Sequence, residues 1–385
     1  MTPRVLALGA WLKNRACLLD GAAVHWSALH GDLRDAAACL ALEASAHELA
    51  ARHGRPDGVA HDLHPDFHST RLALALAQAW GVPAIGVQHH HAHIAGVLAE
   101  QPQPVPVIGL ALDGVGFGSD GQAWGGELLH VGPAGFERLG HLWPLALPGG
   151  DAAAREPWRM LAAVLQALGR GDEIAARLGP GAGEAAARMI QVLLARGLNC
   201  PPTTSAGRWF DAAAAALDLA PRRQAEAEAA IALEQSAARH AGPLPARRAR
   251  AEIRREGVLD LRPLLAELVA WAPAPEARPA AAAWFHASLA DGLGDWAARA
   301  ARERGSRSVV LSGGCFFNAL LSRGVVQCLA RHGLRVLRPQ SHSCGDAGLA
   351  LGQAWVAAQQ ITQQLTQQGV AGRPALPEPE VPACA

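Results

Sequence analysis

The sequence predicts an α/β fold built from two copies of one βββαβαβα unit, with a long helical insertion in the second copy. Three observations support this prediction. Short apolar runs alternate with helical periodicity in the same order on both sides of residues 101–106. Both halves open on similar hexapeptides, Val5–Ala10 and Gly109–Gly114. The length of 385 residues suits two lobes better than one.

In the first half, apolar runs indicate five strands, and Ala, Leu and Glu at helical spacing indicate three helices. In chain order we expect strands 5–9, 16–19 and 23–27, helix 34–53, strand 58–60, helix 69–80, strand 84–87 and helix 91–100. Three prolines then interrupt the chain between Gln101 and Pro106. This break sets the predicted first lobe at residues 1–103.

The second half repeats the order of elements. We expect strands 107–113, 123–129 and 136–142, an Ala-rich helical insertion over about 155–300, strand 308–311, helix 316–332, strand 334–337 and helix 345–362. The predicted second lobe is therefore residues 104–362. Residues 363–385 are rich in Gln, Pro and Glu and are predicted to be a disordered tail. A duplicated βββαβαβα unit resembles the actin-like ATPase (ASKHA) superfamily, in which a nucleotide lies in the cleft between two lobes.

Composition excludes several classes of function. Lys and Arg total 34, as do Asp and Glu, so the net charge of 0 gives no whole-surface field for nucleic acid or an anionic membrane. The first apolar run is too short for a signal peptide, and none approaches the ~20 apolar residues of a membrane span. The seven cysteines form no C-x-x-C pair, which argues against a zinc ribbon. We therefore expect a cytoplasmic protein without nucleic-acid or membrane partners.

The histidine run His89–His93 is the strongest chemical signal. It contains four histidines in five residues and follows the strand predicted to end at Val87. If the helix begins by His89, then His89 and His93 project from one face, one turn apart, as helices present two imidazoles to one metal. His90 and His91 would point elsewhere. The alternative interpretation is a polar helix start with core or surface histidines.

Two carboxylates complete a candidate ligand set. Asp113 ends the opening strand of the second half, and Asp346 lies in the loop before the last helix. In a duplicated fold both occupy carboxyl ends of strands and face one cleft. Two imidazoles with carboxylates suit Fe(II), Zn or Mn and leave positions for phosphate oxygens. Asp346 could equally cap the helix that follows it.

Two Gly-rich segments flank the same cleft, at residues 113–121 and 311–318. Their glycines allow phosphates to approach the backbone, and the second segment leads into a helix whose N–H groups can meet an anion. Neither segment is a Walker A or Rossmann motif, and a tight hairpin explains the first almost as well. Asp151 and Asp211 could bind ribose hydroxyls or cap helices, and their spacing favours the cap.

Together these motifs resemble HypF, the carbamoyltransferase family of hydrogenase maturation. The matching stretches run in order from about residue 4 to 360 and include residues 61–65, 87–93, 112–114, 124–127, 147–160, 204–212, 311–314 with Asn318, and 346–353. The resemblance implies the domain related to threonylcarbamoyl transferases, which has the actin-like fold.

The resemblance also implies a binding site. The implied metal ligands are His89, His93, Asp113 and Asp346, and the metal (Fe, Zn or Mg) touches the nucleotide phosphates. The residues expected to hold ATP or carbamoyl-adenylate are Asp113, Gly114, Gly116, Asp151, Asp211, Ser312, Gly313, Gly314 and Asn318. Asp113 is also expected to serve catalysis. Lys13 either adds positive charge near the phosphates or is an ordinary surface lysine.

The implied reaction transfers a carbamoyl group from carbamoyl-adenylate, derived from carbamoyl phosphate and ATP, to the C-terminal cysteine of HypE, for cyanide synthesis. A full HypF also carries domains that make the adenylate, for which this sequence has no room. We therefore expect the adenylate to come from full-length HypF or another adenylate-forming protein. The alternatives are an O-carbamoyltransferase of a small molecule and an incomplete HypF that acts as a HypE-binding scaffold. The absent adenylate-making domain argues against the first alternative, and the complete His/His/Asp/Asp set argues against the second.

Overall fold

The computed structural model describes residues 2–132, 135–219, 225–247, 249–272 and 274–371. The first lobe consists of β1 Val5–Ala7, β2 Cys17–Asp20, β3 Ala23–Trp26, α1 Ala36–His53, β4 Gly58–Asp62, α2 His68–Trp80, β5 Ala84–Val87 and α3 His89–Glu100. Its strands form one sheet in the order β3-β2-β1-β4-β5. β1 pairs antiparallel with β2 and parallel with β4, so the sheet is mixed.

The second lobe begins with β6 and carries the helical insertion. Its elements are β6 Val107–Phe117, β7 Ala123–Val131, β8 Phe136–His141, β9 Leu145–Ala146, α4 Asp151–Arg155, α5 Pro157–Ala167, α6 Ile174–Ala182, α7 Glu184–Arg196, β10 Pro202–Thr203, α8 Ala206–Ala216, α9 Glu228–Ala238, β11 Glu252–Ile253, β12 Leu259–Asp260, α10 Arg262–Trp271, α11 Arg278–Glu303, β13 Ser308–Ser312, α12 Ala319–Arg331, β14 Arg335–Leu337 and α13 Leu349–Ala371. No helix in the described ranges is long and apolar enough to cross a membrane.

The second sheet repeats the first. Its main path runs β14-β13-β6-β7, with β8 also paired to β7. β6 pairs antiparallel with β7 and parallel with β13, just as β1 pairs antiparallel with β2 and parallel with β4. β13 in turn pairs parallel with β14, as β4 does with β5. The predicted duplicated α/β fold is therefore confirmed. The short strands β10, β11 and β12 interrupt the region that was expected to be helical throughout.

Helix α3 lies between the two sheets. Ala92 and Ala95 pack into the core of the first lobe, whereas Ile94, Val97 and Leu98 pack against β6, β7 and β13. Every residue of α3 from His89 to Leu98 is consequently buried. The sequence of α3 is almost uniformly apolar or histidine for this reason, because a helix with neighbours on all sides has no solvent-facing stripe.

Helix α13 returns from the second lobe to cover the first sheet. Val356 and Ile361 join the core formed by Val5 and Ala7. Gly352 permits the close crossing with α3, since a Cβ there would stand 1.8 Å from the carbonyl oxygen of Ala92. This crossing holds the histidine helix against the last helix of the chain.

Several element boundaries differ from the prediction. α3 starts at His89 rather than 91, because the Gln88 side chain caps it. α12 starts at Ala319 rather than 316, because residues 314–317 form a 3₁₀ turn and Asn318 caps the helix. The prediction of a disordered tail from 363 is wrong for residues 363–371, which extend α13. Glutamine favours helix, so the Gln-rich part continues it. Residues 372–385 lie outside the described ranges.

Candidate metal and nucleotide site

Helix α3 presents His89 and His93 side by side. The Gln88 side chain accepts a hydrogen bond from the His91 backbone N–H at 2.9 Å, which starts the helix early enough to include His89. The two rings then lie one turn apart with centroids separated by 4.9 Å. Both side chains are buried. His89 and His93 therefore project from one face of α3, as their spacing predicts.

Asp113 faces this histidine pair from the second lobe. The pairing register of β6 and β7 shifts between Leu112 and Gly116, at the position of Asp113. Its Oδ2 lies 3.3 Å from Nε2 of His89 and 3.1 Å from Nε2 of His93. Its Oδ1 accepts the Gly114 N–H at 2.7 Å. One carboxylate oxygen therefore serves both imidazoles while the other is held by the backbone.

Asp346 closes the cluster. Its Oδ1 lies 3.6 Å from Nε2 of His89 and 3.7 Å from Nε2 of His93. The four ligand atoms all lie within 4.8 Å of one another. The helix-cap interpretation of Asp346 finds no support, because Asp346 follows the cap residue Gly345 and its carboxylate points at the histidines. Two imidazoles and two carboxylates in this arrangement fit a divalent metal such as Fe(II), Zn or Mn.

Opposite charges stabilise the cluster. Burial opposes a charge on His89, but hydrogen bonds to Asp113, Asp346 and Asp62 hold the pKa of its ring well above the ordinary value. Burial likewise favours neutral Asp113, yet its hydrogen bonds to His89 and His93 hold the pKa of its carboxyl well below the ordinary range. An imidazolium can thus balance the Asp113 carboxylate, in the place where a metal cation would carry positive charge.

The other two histidines of the run belong to the core, as their spacing predicts. Burial lowers the pKa of His91 to about 4, and burial followed by the neighbouring His89 lowers that of His90 well below its ordinary value. A Cβ on Gly116 would lie 2.6 Å from the His89 ring and 2.7 Å from the His90 ring. Gly116, predicted to let phosphates approach, therefore makes room for these rings.

Asp62 contacts the candidate site, although the sequence analysis did not identify it as a site residue. It ends β4 and is fully buried, and its Oδ2 accepts a hydrogen bond from Nδ1 of His89 at 2.8 Å. Its Oδ1 accepts the His64 N–H at 2.9 Å. This contact turns Nε2 of His89 toward Asp113, as carboxylates behind metal-bound histidines do. Asp62 could have been identified from its position at the carboxyl end of β4, which runs parallel to β5.

We expect Asp62→Asn to weaken metal binding about 10- to 100-fold, because the His89 ring loses the carboxylate that orients it. Titration of the metal-free protein with Mn²⁺, which prefers oxygen and nitrogen ligands to thiolate, measures this affinity by electron paramagnetic resonance. Asp66→Asn is the matched control, since Asp66 is exposed and its carboxylate pairs with the exposed Arg71 in the first turn of α2. Equal affinities for Asp62→Asn and the unaltered protein would contradict the orienting role.

Glu100 anchors the loop that delivers Asp346. It ends α3 and accepts hydrogen bonds from the backbone N–H groups of Gln340 and Ser341, both at 2.9 Å, and from the Ser341 hydroxyl. Nδ1 of His342 lies 2.7 Å from its Oε1. Burial favours the neutral acid, but these hydrogen bonds and the His342 ring lower the pKa of Glu100 to about 2.

Glu100→Gln should therefore lower stability by about 2 kcal/mol at pH 7, the value of hydrogen bonds to a charged group. The pKa of Glu100 is lower in the folded than in the unfolded chain. Its contribution is thus complete above pH 4.5 and disappears as the pH falls toward 2. Urea unfolding at pH 7, 4.5 and 3 should show the gap between the two proteins closing. Glu303→Gln, which breaks an exposed pair with Arg299, is the control, and a constant gap would contradict the assignment.

Both Gly-rich segments meet beside Asp113. A Cβ on Gly314 would lie 2.9 Å from Oδ1 of Asp113, whereas a Cβ on Gly114 would meet nothing within 4 Å. Gly313 has a φ of 105°, and a Cβ there would stand 2.3 Å from the Leu112 carbonyl oxygen. Only glycine suits that position. The 113–116 and 312–318 segments therefore share one edge of the metal cluster.

Ser312 and Asn318 are buried at the two ends of the second segment. The Ser312 hydroxyl donates to the Cys344 carbonyl at 3.4 Å. The Asn318 side chain accepts the Leu321 N–H at 2.9 Å, and its amide nitrogen lies 3.0 Å from Nε2 of His286. Both residues fix the shape of the segment.

The helix-cap interpretation is wrong for Asp151 and Asp211. Asp211 lies in the interior of α8, where its carboxylate pairs with Nε of Arg208 at 2.7 Å. Asp151 is exposed at the start of α4, which has no side-chain cap. Burial and then the charge of Asp113 raise the pKa of Cys315, whereas the charge of Arg208, the partner of Asp211, lowers it. The ribose contacts stay predictions.

Lys13 reaches from the first lobe to the insertion. It lies in the loop between β1 and β2 with a φ of 45°, and its Nζ is 3.1 Å from Oε2 of Glu226. Both side chains are about half exposed, at 51% and 52%. The Glu226 carboxylate offsets the positive charge that Lys13 would offer to a phosphate.

Comparison with known proteins identifies similar sequences over nearly the whole chain. The HypF Kae1-like domain matches residues 1–100, and the second subdomain of the carbamoyltransferase Kae1-like domain matches residues 109–353. The chain is 58% identical to a carbamoyltransferase HypF homolog of Cupriavidus necator, with 94% of each chain covered. It is 48% identical to carbamoyltransferase HypF2 of the same organism and 41% identical to carbamoyltransferase HypF of Rhizobium leguminosarum, of which it spans 47% and 46%.

Two solved structures share the fold. Full-length HypF in a phosphate- and nucleotide-bound form superposes with a TM-score of 0.81 at 30% identity, covering 93% of this chain and 56% of that one. HypF of T. kodakarensis superposes with a TM-score of 0.83 at 32% identity, covering 94% and 48%. The chain thus spans about half the length of the HypF proteins whose structures it matches.

Proposed function

The chain belongs to the HypF carbamoyltransferase family, and we propose that it transfers a carbamoyl group from carbamoyl-adenylate to the C-terminal cysteine of HypE. The observation that carries this proposal is the buried cluster of His89, His93, Asp113 and Asp346. A metal at that point would touch phosphates held by the adjoining Gly-rich segments. In hydrogenase maturation the product is the precursor of the cyanide ligand.

The proposed step is an acyl transfer that needs no nucleophile from this chain. The HypE thiolate attacks the carbonyl carbon, a C–S bond forms, and the C–O bond to the adenylate phosphate breaks, so that AMP leaves with the electron pair. When bound, a divalent cation (Fe, Zn or Mg) supplies positive charge beside that phosphate. His89, His93, Asp113 and Asp346 would hold the cation. The remaining contribution of the cleft is to bring the reacting atoms together.

We assign the nucleotide phosphates to the open backbone at Gly114 and to the turn of Gly313 and Gly314. The N–H groups of Gly114 and Gly313 already donate to Asp113 and to the Cys344 carbonyl, so phosphates would approach through the space that the absent side chains leave beside these glycines. The side chains of Ser312 and Asn318, at the two ends of this segment, hold the turn in shape through their hydrogen bonds to the backbone. We further propose that Asp151 or Asp211 contacts the ribose. Lys13 would contact a phosphate once its ion pair with Glu226 has broken.

The proposed partners are HypE as acceptor and full-length HypF, or another adenylate-forming protein, as donor of the activated carbamoyl group. We place the reaction in the cytoplasm. The six cysteines within the described residues are all free thiols, which suits a reducing compartment. A solved full-length HypF structure contains phosphate and a nucleotide, which supports a nucleotide as the ligand of this chain.

Mass spectrometry of HypE tests the proposal. One reaction contains the purified chain, HypE, ATP and carbamoyl phosphate, and a second contains supplied carbamoyl-adenylate. We expect a carbamoyl adduct on the C-terminal cysteine in the second reaction, and none on HypE that lacks this cysteine. An adduct in the first reaction would show that the chain also makes the adenylate.

Failure in both reactions would overturn the proposal. If HypE still binds the chain without being modified, the scaffold function replaces it. If supplied carbamoyl-adenylate instead carbamoylates a small-molecule hydroxyl, O-carbamoyl transfer replaces it.

A further inference from the structure

A second group of metal-binding side chains lies between helices α11 and α12. Asp295 extends from α11, whereas Cys328 extends from α12 and His332 follows its last turn. Oδ1 of Asp295 is 2.8 Å from Nε2 of His332 and 3.5 Å from Sγ of Cys328. The three ligand atoms lie within 4.8 Å of one another. Within the described residues, this group and the cleft cluster are the two sets of three or more such ligands.

The packing of the two helices places the thiol at this point. A Cβ on Gly294 would lie 2.5 Å from both Cβ and Sγ of Cys328, so the absent side chain leaves the space that the thiol occupies. Cys328 is 1% exposed, whereas the side chains of His332 and Asp295 are 34% and 60% exposed. Cys328 and His332 are four residues apart, the spacing at which a helix directs two ligands to one metal. The group is therefore fixed on its inner side and open to solvent on its outer side.

We propose that Asp295, Cys328 and His332 form a zinc site that pins α11 to the end of α12, with water as the fourth ligand. Thiolate, imidazole and carboxylate are the ligands that Zn²⁺ takes in proteins. Tetrahedral bonds of the usual lengths separate a zinc-bound sulfur and oxygen by about 3.6 Å, and the Sγ–Oδ1 distance here is 3.5 Å. The nitrogen–oxygen separation would be about 3.4 Å, so the His332 ring, which is one-third exposed, moves outward slightly.

The site differs in chemistry from the cleft cluster. The four cleft ligands are nitrogen and oxygen atoms, whereas this site contributes a sulfur. Burial, the largest influence, raises the pKa of the Cys328 thiol, so zinc uptake should release a proton. α12 begins directly after Asn318, which ends the Gly-rich segment. Zinc at the far end of α12 would therefore steady the helix on which that segment rests.

Cobalt substitution distinguishes the two sites, because only thiolate coordination gives a sulfur-to-Co²⁺ charge-transfer band in the near ultraviolet. We expect Co²⁺ in excess over both sites to produce this band in the full chain and Zn²⁺ to displace it. Cys328→Ser should abolish the band, and His332→Ala should weaken Co²⁺ binding at this site at least tenfold. The variant with both His89→Ala and His93→Ala should retain the band.

Two variants keep this test decisive, one as a control and one as a conservative probe of the site. Cys344→Ser is the matched control, since Cys344 lies beside the cleft and should not affect the band. His332→Ala changes a side chain that is one-third exposed and should fold normally, as circular dichroism can verify. A full chain that shows no band with Co²⁺ in excess would overturn the proposal. So would a band that survives Cys328→Ser or has normal affinity in His332→Ala.

Discussion

Replacing both His89 and His93 with alanine is expected to abolish metal binding in the cleft and to slow carbamoyl transfer at least about 10³-fold. The double substitution removes both imidazoles from the four-ligand set, leaving Asp113 and Asp346. Two carboxylates hold a transition metal far less tightly than the mixed set. A factor of 10³ corresponds to about 4 kcal/mol of barrier, a plausible share for a cation beside a leaving phosphate. Metal content by mass spectrometry and the rate of HypE modification measure the two effects.

His91→Ala is the matched control for this variant. It removes one buried imidazole from the same part of α3, but the His91 ring packs against Phe136 rather than against the carboxylates. It should retain metal and activity. Asp346→Asn provides an independent test, because Asp346 is partly exposed and its replacement keeps the side-chain size. Normal transfer in the double variant, with no metal in its cleft, would show that the cluster has no part in the reaction.

The duplicated fold could be predicted because its information is local. Each strand and helix has its own apolar period, and the order of elements in one half repeats in the other. The return of α13 to the first sheet could not be predicted in this way. Val356 and Ile361 read only as apolar positions of a helix, and the sequence does not state which sheet they cover. Such contacts depend on tertiary packing between residues about 350 positions apart.

The same dependence on tertiary packing explains which site residues the sequence revealed and which it did not. His89 and His93 could be identified because their spacing within one helix already determines that they share a face. Asp62 orients His89, but its role depends on β4 ending beside α3, which no local pattern reveals. From the sequence alone, Asp211 could be a helix cap. Its position inside α8 and its pairing with Arg208 can be recognised only once the bounds of α8 are known.

Arg138 extends from a buried ion pair toward the surface, and we expect its removal to destabilise the protein strongly. Glu127 lies fully buried in β7, and its Oε2 accepts a hydrogen bond from Nε of Arg138 at 2.7 Å. Its Oε1 accepts the N–H groups of Gly125 and Gly126 and the hydroxyl of Thr204. Removing Arg138 leaves this carboxylate without its cation inside the sheet that carries Asp113. An uncompensated buried charge typically costs 3–5 kcal/mol.

We therefore expect Arg138→Ala to lower the free energy of unfolding by about 3–5 kcal/mol, measured by denaturant unfolding at pH 7. Adding Glu127→Gln should recover at least about 1 kcal/mol, because the neutral amide no longer needs a cation, and the cycle of four proteins isolates the coupling. Arg304→Ala is the matched control, since its pair with Glu137 is exposed on both sides and should contribute less than about 1 kcal/mol.

The Arg138 guanidinium also lies 3.7 Å from the Trp124 ring centroid. Loss of that contact would be common to both Arg138 variants, so only the recovery on Glu127→Gln reports the buried charge. If the second substitution instead adds to the loss, the hydrogen bonds of Glu127 and not its charge support this part of the site.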